Sequence, residues 1–183
     1  MKVGDVVDDF EAVDQHGTRR RLSSLLAEGP LVLYFYPKAF TPGCTRESCH
    51  FRDMAAELRA AGGHAVGISA DAVERQAAFD SKHSLGFPLL SDPDRRIART
   101  FGVKRPGPLF NKRATFVIDT DRTVLAAIQS EMNMNVHADR AIEALRARPA
   151  AEPEADLVGE GQPVAAPPRA TAETAAQESS PKS

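Results

Sequence analysis

Six consecutive aliphatic or aromatic positions, Leu31 to Tyr36, are followed by Pro37. That run reads as a strand buried on both faces, ending where proline removes the next backbone donor. Ahead of it, Val3 to Asp14 and Arg19 to Leu22 flank the turn residues Gln15-His-Gly-Thr, which predicts an opening hairpin. Ser23 is placed to cap a short helical turn, Ser23 to Ala27, closed by Gly29-Pro30. Beyond the central strand, Phe51, Met54, Ala55, Leu58 and Ala61 recur at helical spacing, predicting one helix from about Pro42 to Ala61 with Gly62-Gly63 as its stop.

His64 to Ser69 is a second core strand, and Asp71 is placed to cap a helix over Ala72 to Ser84 carrying Val73, Ala77 and Phe79. Phe87-Pro-Leu-Leu predicts a short strand. Ser91-Asp-Pro opens a helix through Phe101, and Gly102 closes it. Thr115 to Asp119 turns through Thr120-Asp-Arg into Val124 to Gln129, and His137 to Arg146 forms the last helix. Strands alternating with helices imply parallel pairing, and the order predicts an α/β fold with a central mixed β-sheet flanked by helices.

From Pro149 the composition shifts to Ala, Pro, Glu, Ser and Thr with no aromatic residue. Such a segment cannot offset its ordering entropy by burial, so 149–183 is expected to be a disordered tail behind a single domain over 1–148. A formal net charge of −2 and 42% hydrophobic content suit one domain with a substantial core. The absence of any block of like charge argues against nucleic acid or a membrane surface as partner. The first ten residues carry acids where a secretory signal needs an apolar run, and no stretch reaches the roughly 18 apolar residues of a membrane span, so a cytoplasmic location is expected.

The two cysteines give the chemistry its focus. Thr41 and Pro42 form a helix-start signature that places Cys44 in the first turn. There the unpaired N–H groups and the aligned peptide dipoles favour a thiolate, the nucleophilic form of cysteine. Cys49 follows five positions later. On an intact helix such positions have Cα atoms roughly 8.6 Å apart on different faces, whereas a disulfide needs less than about 7 Å. The pair can therefore bond only if the turn unwinds, which predicts alternation between a helical dithiol and a locally unwound disulfide. Two cysteines so placed fit redox chemistry in a reducing compartment better than a structural staple.

The run Pro37-Lys-Ala-Phe-Thr41-Pro-Gly-Cys44 matches the Pro-x-x-x-Thr-x-x-Cys signature of peroxiredoxins, and Cys44-Thr-Arg-Glu-Ser-Cys49-His-Phe-Arg-Asp resembles their bacterioferritin comigratory protein (peroxiredoxin Q) subfamily. A looser similarity runs from Met1 to Arg146, including Phe87-Pro-Leu-Leu-Ser-Asp, Phe101-Gly-Val and Arg113-Ala-Thr-Phe-Val-Ile-Asp; Ala39-Phe40 stands where many members are acidic. The resemblance implies a thioredoxin-like fold, in keeping with the element order, and a thiol-dependent peroxidase with no cofactor. It implies Cys44 as the peroxidatic nucleophile and Cys49 as the resolving thiol, with thioredoxin or a similar dithiol as reductant and hydrogen peroxide or organic hydroperoxides as substrates. Thr41 would hold the attacked peroxide, Pro37 would shape the pocket, Arg113 would stand by the sulfur and Glu47 would orient Arg113. Subfamily members occur as monomers and homodimers.

Arg113 also has a reading of its own: it precedes a strand expected beside the central one, and a guanidinium that keeps its charge there favours the thiolate. Side-chain alternation turns the adjacent Lys112 to the other face. The alternative chemistry is metal binding by Cys44, Cys49 and a histidine, His50 or His137. The cysteine spacing is one residue longer than in the thioredoxin-like copper chaperones. The loop Lys104 to Lys112 presents Leu109 and Phe110 as an apolar pair that either covers the pocket, meets a reductase or packs on its own domain.

Overall fold

The computed structural model of the chain describes residues 1–148; the expected disordered tail, 149–183, lies outside the described residues. A hairpin, β1 (Glu11–Asp14) and β2 (Arg19–Arg21), and a short helix α1 (Leu22–Leu26) lead into the central strand β3 (Leu31–Phe35). Then come α2 (Pro42–Asp53), α3 (Ala55–Ala60), β4 (His64–Ser69), α4 (Val73–His83), β5 (Leu89–Ser91) and α5 (Arg96–Thr100). The hairpin β6 (Ala114–Ile118) and β7 (Val124–Gln129) and the helix α6 (Asn135–Arg146) complete the order. The strands form one seven-stranded mixed sheet, β2-β1-β5-β4-β3-β6-β7. β3, β4 and β5 pair in parallel, while β6 runs antiparallel to β3.

All five β3 residues are fully buried because the strand has a core on each side. Leu31, Leu33 and Phe35 point into one cluster with Leu22 and Leu25 of α1, Ile97 of α5 and Phe116. Val32, Tyr34 and, just beyond the strand, Tyr36 point into the other, with Phe51, Leu58, Phe79 and Ile142 from α2, α3, α4 and α6. The period of two along β3 thus sorts the helices into two layers. Cys44 belongs to the second.

The first strand begins at Glu11, β5 at Leu89 and α6 at Asn135, and four further expectations fail through a side chain or backbone angle that a linear pattern does not carry. The long helix divides at Met54, which leaves helical geometry at ψ 8° for one residue, while Met54 N–H to His50 O and Leu58 N–H to Met54 O, both 2.9 Å, carry hydrogen bonding across the break. Ser23 caps nothing, since α1 begins at Leu22 and both Ser23 N–H and its hydroxyl donate to Asp9. Asp71 does not cap α4, whose N-cap position is Ala72; its carboxylate is taken by the Ala39 N–H, the Ser69 hydroxyl and Arg75. α5 starts at Arg96, because Arg95 adopts left-handed φ 52° and the Asp92 carboxylate accepts the N–H groups of Arg96, Ile97 and Ala98. Gly102, at φ 72°, closes that helix as expected.

Candidate active site

The site lies where β3 delivers the chain into α2. Tyr36 N–H makes the last bond to β4, 3.1 Å to Ile68 O, and Pro37 ends the ladder. Over the next residues α4 and its leading loop hold the backbone on both sides of Ala39: its N–H donates to Asp71 Oδ2 at 2.7 Å, and Arg75 donates to its carbonyl O at 2.9 Å. Phe40 then takes φ 69°, an unfavourable conformation for a residue with a Cβ. Its ring packs edge-on to Phe79 at 5.2 Å, with the Arg75 guanidinium over it at 5.2 Å, so packing holds the bend that aims α2.

Thr41 occupies the N-cap position of α2 with extended backbone, and Pro42 follows in the first turn. The Thr41 hydroxyl does not cap the helix; it donates to Lys38 O at 3.2 Å, tying the loop to itself. Cys44, in the first turn, is fully buried and a free thiol. Cys49 is half-buried further along the same intact helix and is also free.

Arg113 reaches Cys44 because β6 runs against β3. Ala114 is paired with Phe35, so the start of β6 lies beside the exit of β3, and the residue before it faces the first turn of α2. Arg113 Nη2 donates to Cys44 Sγ at 3.3 Å, and Nη1 donates to Glu47 Oε2. Only 5% of Arg113 is exposed and none of Glu47. Burial works against the charge on Arg113, but Glu47 and Cys44 outweigh it and hold its pKa above the ordinary value. Burial also pushes the Glu47 carboxyl up to about 8, with Arg113 pulling the other way. Lys112, two residues before β6, is exposed.

One neighbour of this group was seen in the sequence only as a possible metal ligand. His137 of α6 is fully buried; its Nε2 lies 2.9 Å from Ser130 O, its Nδ1 2.9 Å from Thr115 Oγ1 and 3.8 Å from Glu47 Oε1. His50 instead pairs with Asp139 at 2.9 Å across the outer α2–α6 seam. Among the described residues no group of three or more His, Cys, Asp or Glu is placed to hold a metal ion, so the alternative site is not assembled. Asp71 and Arg75 were missed altogether as supports of the Ala39 peptide. Their i, i+4 spacing was the available signal, but it points equally to a surface pair. Leu109 and Phe110 are both more than half exposed, and Lys38 Nζ sits 5.4 Å over the Phe110 ring, which brings their loop to the rim.

A seven-stranded mixed sheet between two helical layers, with an arginine-paired cysteine in the first turn after the central strand, defines a thioredoxin-like peroxiredoxin fold. The chain belongs to the AhpC/TSA family, whose sequence profile matches residues 3–127. It is 37% identical over 143 residues to peroxiredoxin Bcp of Escherichia coli, covering 75% of this chain and 91% of that one. The crystal structure of peroxidoxin BcpB from Mycobacterium tuberculosis superposes with a TM-score of 0.78 at 55% identity, covering 80% of this chain and 97% of that chain. The bacterioferritin comigratory protein of Xanthomonas campestris, studied for alkyl peroxide reduction, superposes with a TM-score of 0.73 at 31% identity, covering 80% and 98%. Membership of this family implies thiol-dependent reduction of peroxides. Among the described residues no helix is long and apolar enough to cross a membrane.

Proposed function

We propose that the protein is a two-cysteine thiol peroxidase working through Cys44 and Cys49 and recycled by thioredoxin or a similar dithiol. The observation that carries this reading is the hydrogen bond of 3.3 Å from Arg113 Nη2 to Cys44 Sγ. A fixed guanidinium there favours thiolate over thiol and stands where negative charge grows on the departing oxygen. The thiolate attacks one peroxide oxygen and the O–O bond breaks. Cys44 becomes a sulfenic acid, and the other oxygen leaves as water or alcohol after taking a proton.

Cys49 thiol then attacks that sulfur and water departs, leaving an intramolecular disulfide that an external dithiol reduces by exchange. The five-residue separation on α2 requires its turns to unwind for this second step. Glu47 orients the guanidinium, and Pro37 sets where the strand stops. Thr41 offers its hydroxyl to the peroxide by giving up its bond to Lys38 O. Hydrogen peroxide and organic hydroperoxides are the substrates we assign, the latter supported by the alkyl peroxide chemistry of the Xanthomonas relative. We assign a cytoplasmic location and a monomer or homodimer.

Stopped-flow oxidation of the reduced protein by hydrogen peroxide, followed by mass analysis, tests the scheme. Cys44→Ser is expected to abolish peroxide consumption. Cys49→Ser is expected to keep one fast oxidation and to lose turnover with thioredoxin. Repeated turnover by Cys44→Ser would refute the assignment, and full thioredoxin-linked turnover by Cys49→Ser would leave the chemistry to Cys44 alone.

A further inference from the structure

The four side chains that close on one another here do not balance in charge unless a proton is added. Cys44, Glu47 and His137 are fully buried and Arg113 nearly so. With the thiol intact, the Glu47 carboxylate and the Arg113 guanidinium cancel. With the thiolate formed, two anions face one cation, and an uncompensated buried charge is costly.

The geometry offers a place for the missing proton. Glu47 uses Oε2 for Arg113, while Oε1 is buried with no hydrogen-bond partner. Facing it at 3.8 Å is His137 Nδ1. Ser130 O can only accept, so His137 Nε2 carries a hydrogen and Nδ1 is the lone pair of the neutral ring. The Thr115 hydroxyl, 2.9 Å from Nδ1, serves either state by rotation: it donates to a bare Nδ1 and accepts from a protonated one.

The geometry points to Glu47 and His137 as a proton-holding pair, which takes up one proton within the pocket when Cys44 ionises and gives one up when the sulfur becomes neutral. His137 touches neither sulfur nor peroxide and is a positioning residue acting through Glu47. In the oxidation assigned above, on which this inference rests, the sulfur becomes a neutral sulfenic acid while the departing oxygen gains a proton; release from the pair supplies one, so the buried net charge is unchanged throughout.

The surroundings favour the exchange. Burial raises the Glu47 pKa and lowers that of His137, which places the proton chiefly on the carboxyl. The charged groups facing the pair are Cys44 on α2, Arg113 before β6 and Glu131 after β7, with Tyr34 of β3 behind Glu47. β7 itself carries no titratable residue. Glu57 and Arg59 of α3 are exposed, and His50 is committed to Asp139.

A proton count tests this. In the full chain carrying Cys49→Ser, thiolate absorbance in the ultraviolet reports the state of Cys44 at neutral pH, and methyl methanethiosulfonate then converts the sulfur to a neutral mixed disulfide with loss of methanesulfinate. That reaction releases no proton from a thiolate in isolation. The pair predicts about one proton released per chain, read by a pH indicator, although the thiolate is already formed. Adding Glu47→Gln, whose amide oxygen can still accept from Arg113, is expected to bring the release to zero, with the thiolate absorbance of that variant recorded beside it. Adding His137→Gln is expected to shift the pH at which release is lost downward, which a purely structural role would not do. Zero release by the parent, lack of thiolate absorbance in it, or an unshifted profile in His137→Gln would overturn the pair. Peroxide consumption by the same preparation is a separate readout: its absence refutes the peroxidase, whereas the proton count decides the pair.

Discussion

At the scale of single residues the site depends on two donors of one guanidinium being aimed at two different groups, the Cys44 sulfur and the Glu47 carboxyl. Lysine cannot reproduce that: its ammonium is a point charge on a flexible stem and has no planar fork. Arg113→Lys keeps the charge and loses the simultaneous contact to Cys44 and Glu47. A charge-assisted hydrogen bond is worth about 1.5–3 kcal/mol, so the rate constant for oxidation of Cys44 by hydrogen peroxide should fall about 10- to 100-fold in stopped-flow. A rate within twofold of the parent would mean that net positive charge alone is needed. Thr41 and Asp71 make a related point. Thr41 stands at the N-cap position of α2 and Asp71 one residue before that of α4, yet their oxygens go to Lys38 O and to the Ala39 N–H, because the bend before α2 has polar groups of its own to satisfy.

At the scale of elements, what was legible in the sequence is what depends on local order. The unbroken apolar run gives β3, and the Thr41-Pro42 start puts Cys44 in the first turn of α2. The position of Arg113 before its strand became meaningful once the hairpin β6–β7 placed β6 beside β3. The division at Met54, the late start of α5 at Arg96 and the seat of His137 against Glu47 were not legible. The first two are decided by single backbone angles and a local carboxylate that accepts first-turn N–H groups, and the third by a contact between segments far apart in sequence; periodicity is blind to all three. Gly43 shows how closely α2 is fitted to β6. A Cβ there would lie 3.2 Å from Arg113 Nη2 and 3.6 Å from Met134 Cε. Alanine is the better helix former by about 1 kcal/mol, but the guanidinium is anchored to Glu47 and cannot yield freely. Gly43→Ala should therefore oxidise more slowly with little or no loss of thermal stability; an unchanged rate would show that Arg113 has room to move.

At the scale of the whole molecule, the buried carboxyl of Glu47 gives folding a pH dependence that can be read without any peroxide. Its pKa is raised from 4.5 to about 8 by burial, so between those values the native state holds a proton that the unfolded chain has lost. Stability contributed by a raised acid is complete below the unfolded pKa and is lost as pH rises towards the folded one, at up to about 1.4 kcal/mol per pH unit for one proton. The half-buried His64 and the buried His137 act in the opposite sense: their lowered pKa values cost stability as the pH falls through the histidine range. Comparing the parent with Glu47→Gln isolates the carboxyl, because His64 is common to both and a lowered pKa keeps His137 neutral over the upper part of the range. Urea unfolding of the reduced proteins from pH 4.5 to pH 8 should show the parent losing stability relative to Glu47→Gln as the pH rises, with the difference levelling off above about pH 8. Parallel profiles across that range would mean that Arg113 offsets the whole cost of burying the carboxylate, and that Glu47 keeps its charge in the folded protein at all of these pH values.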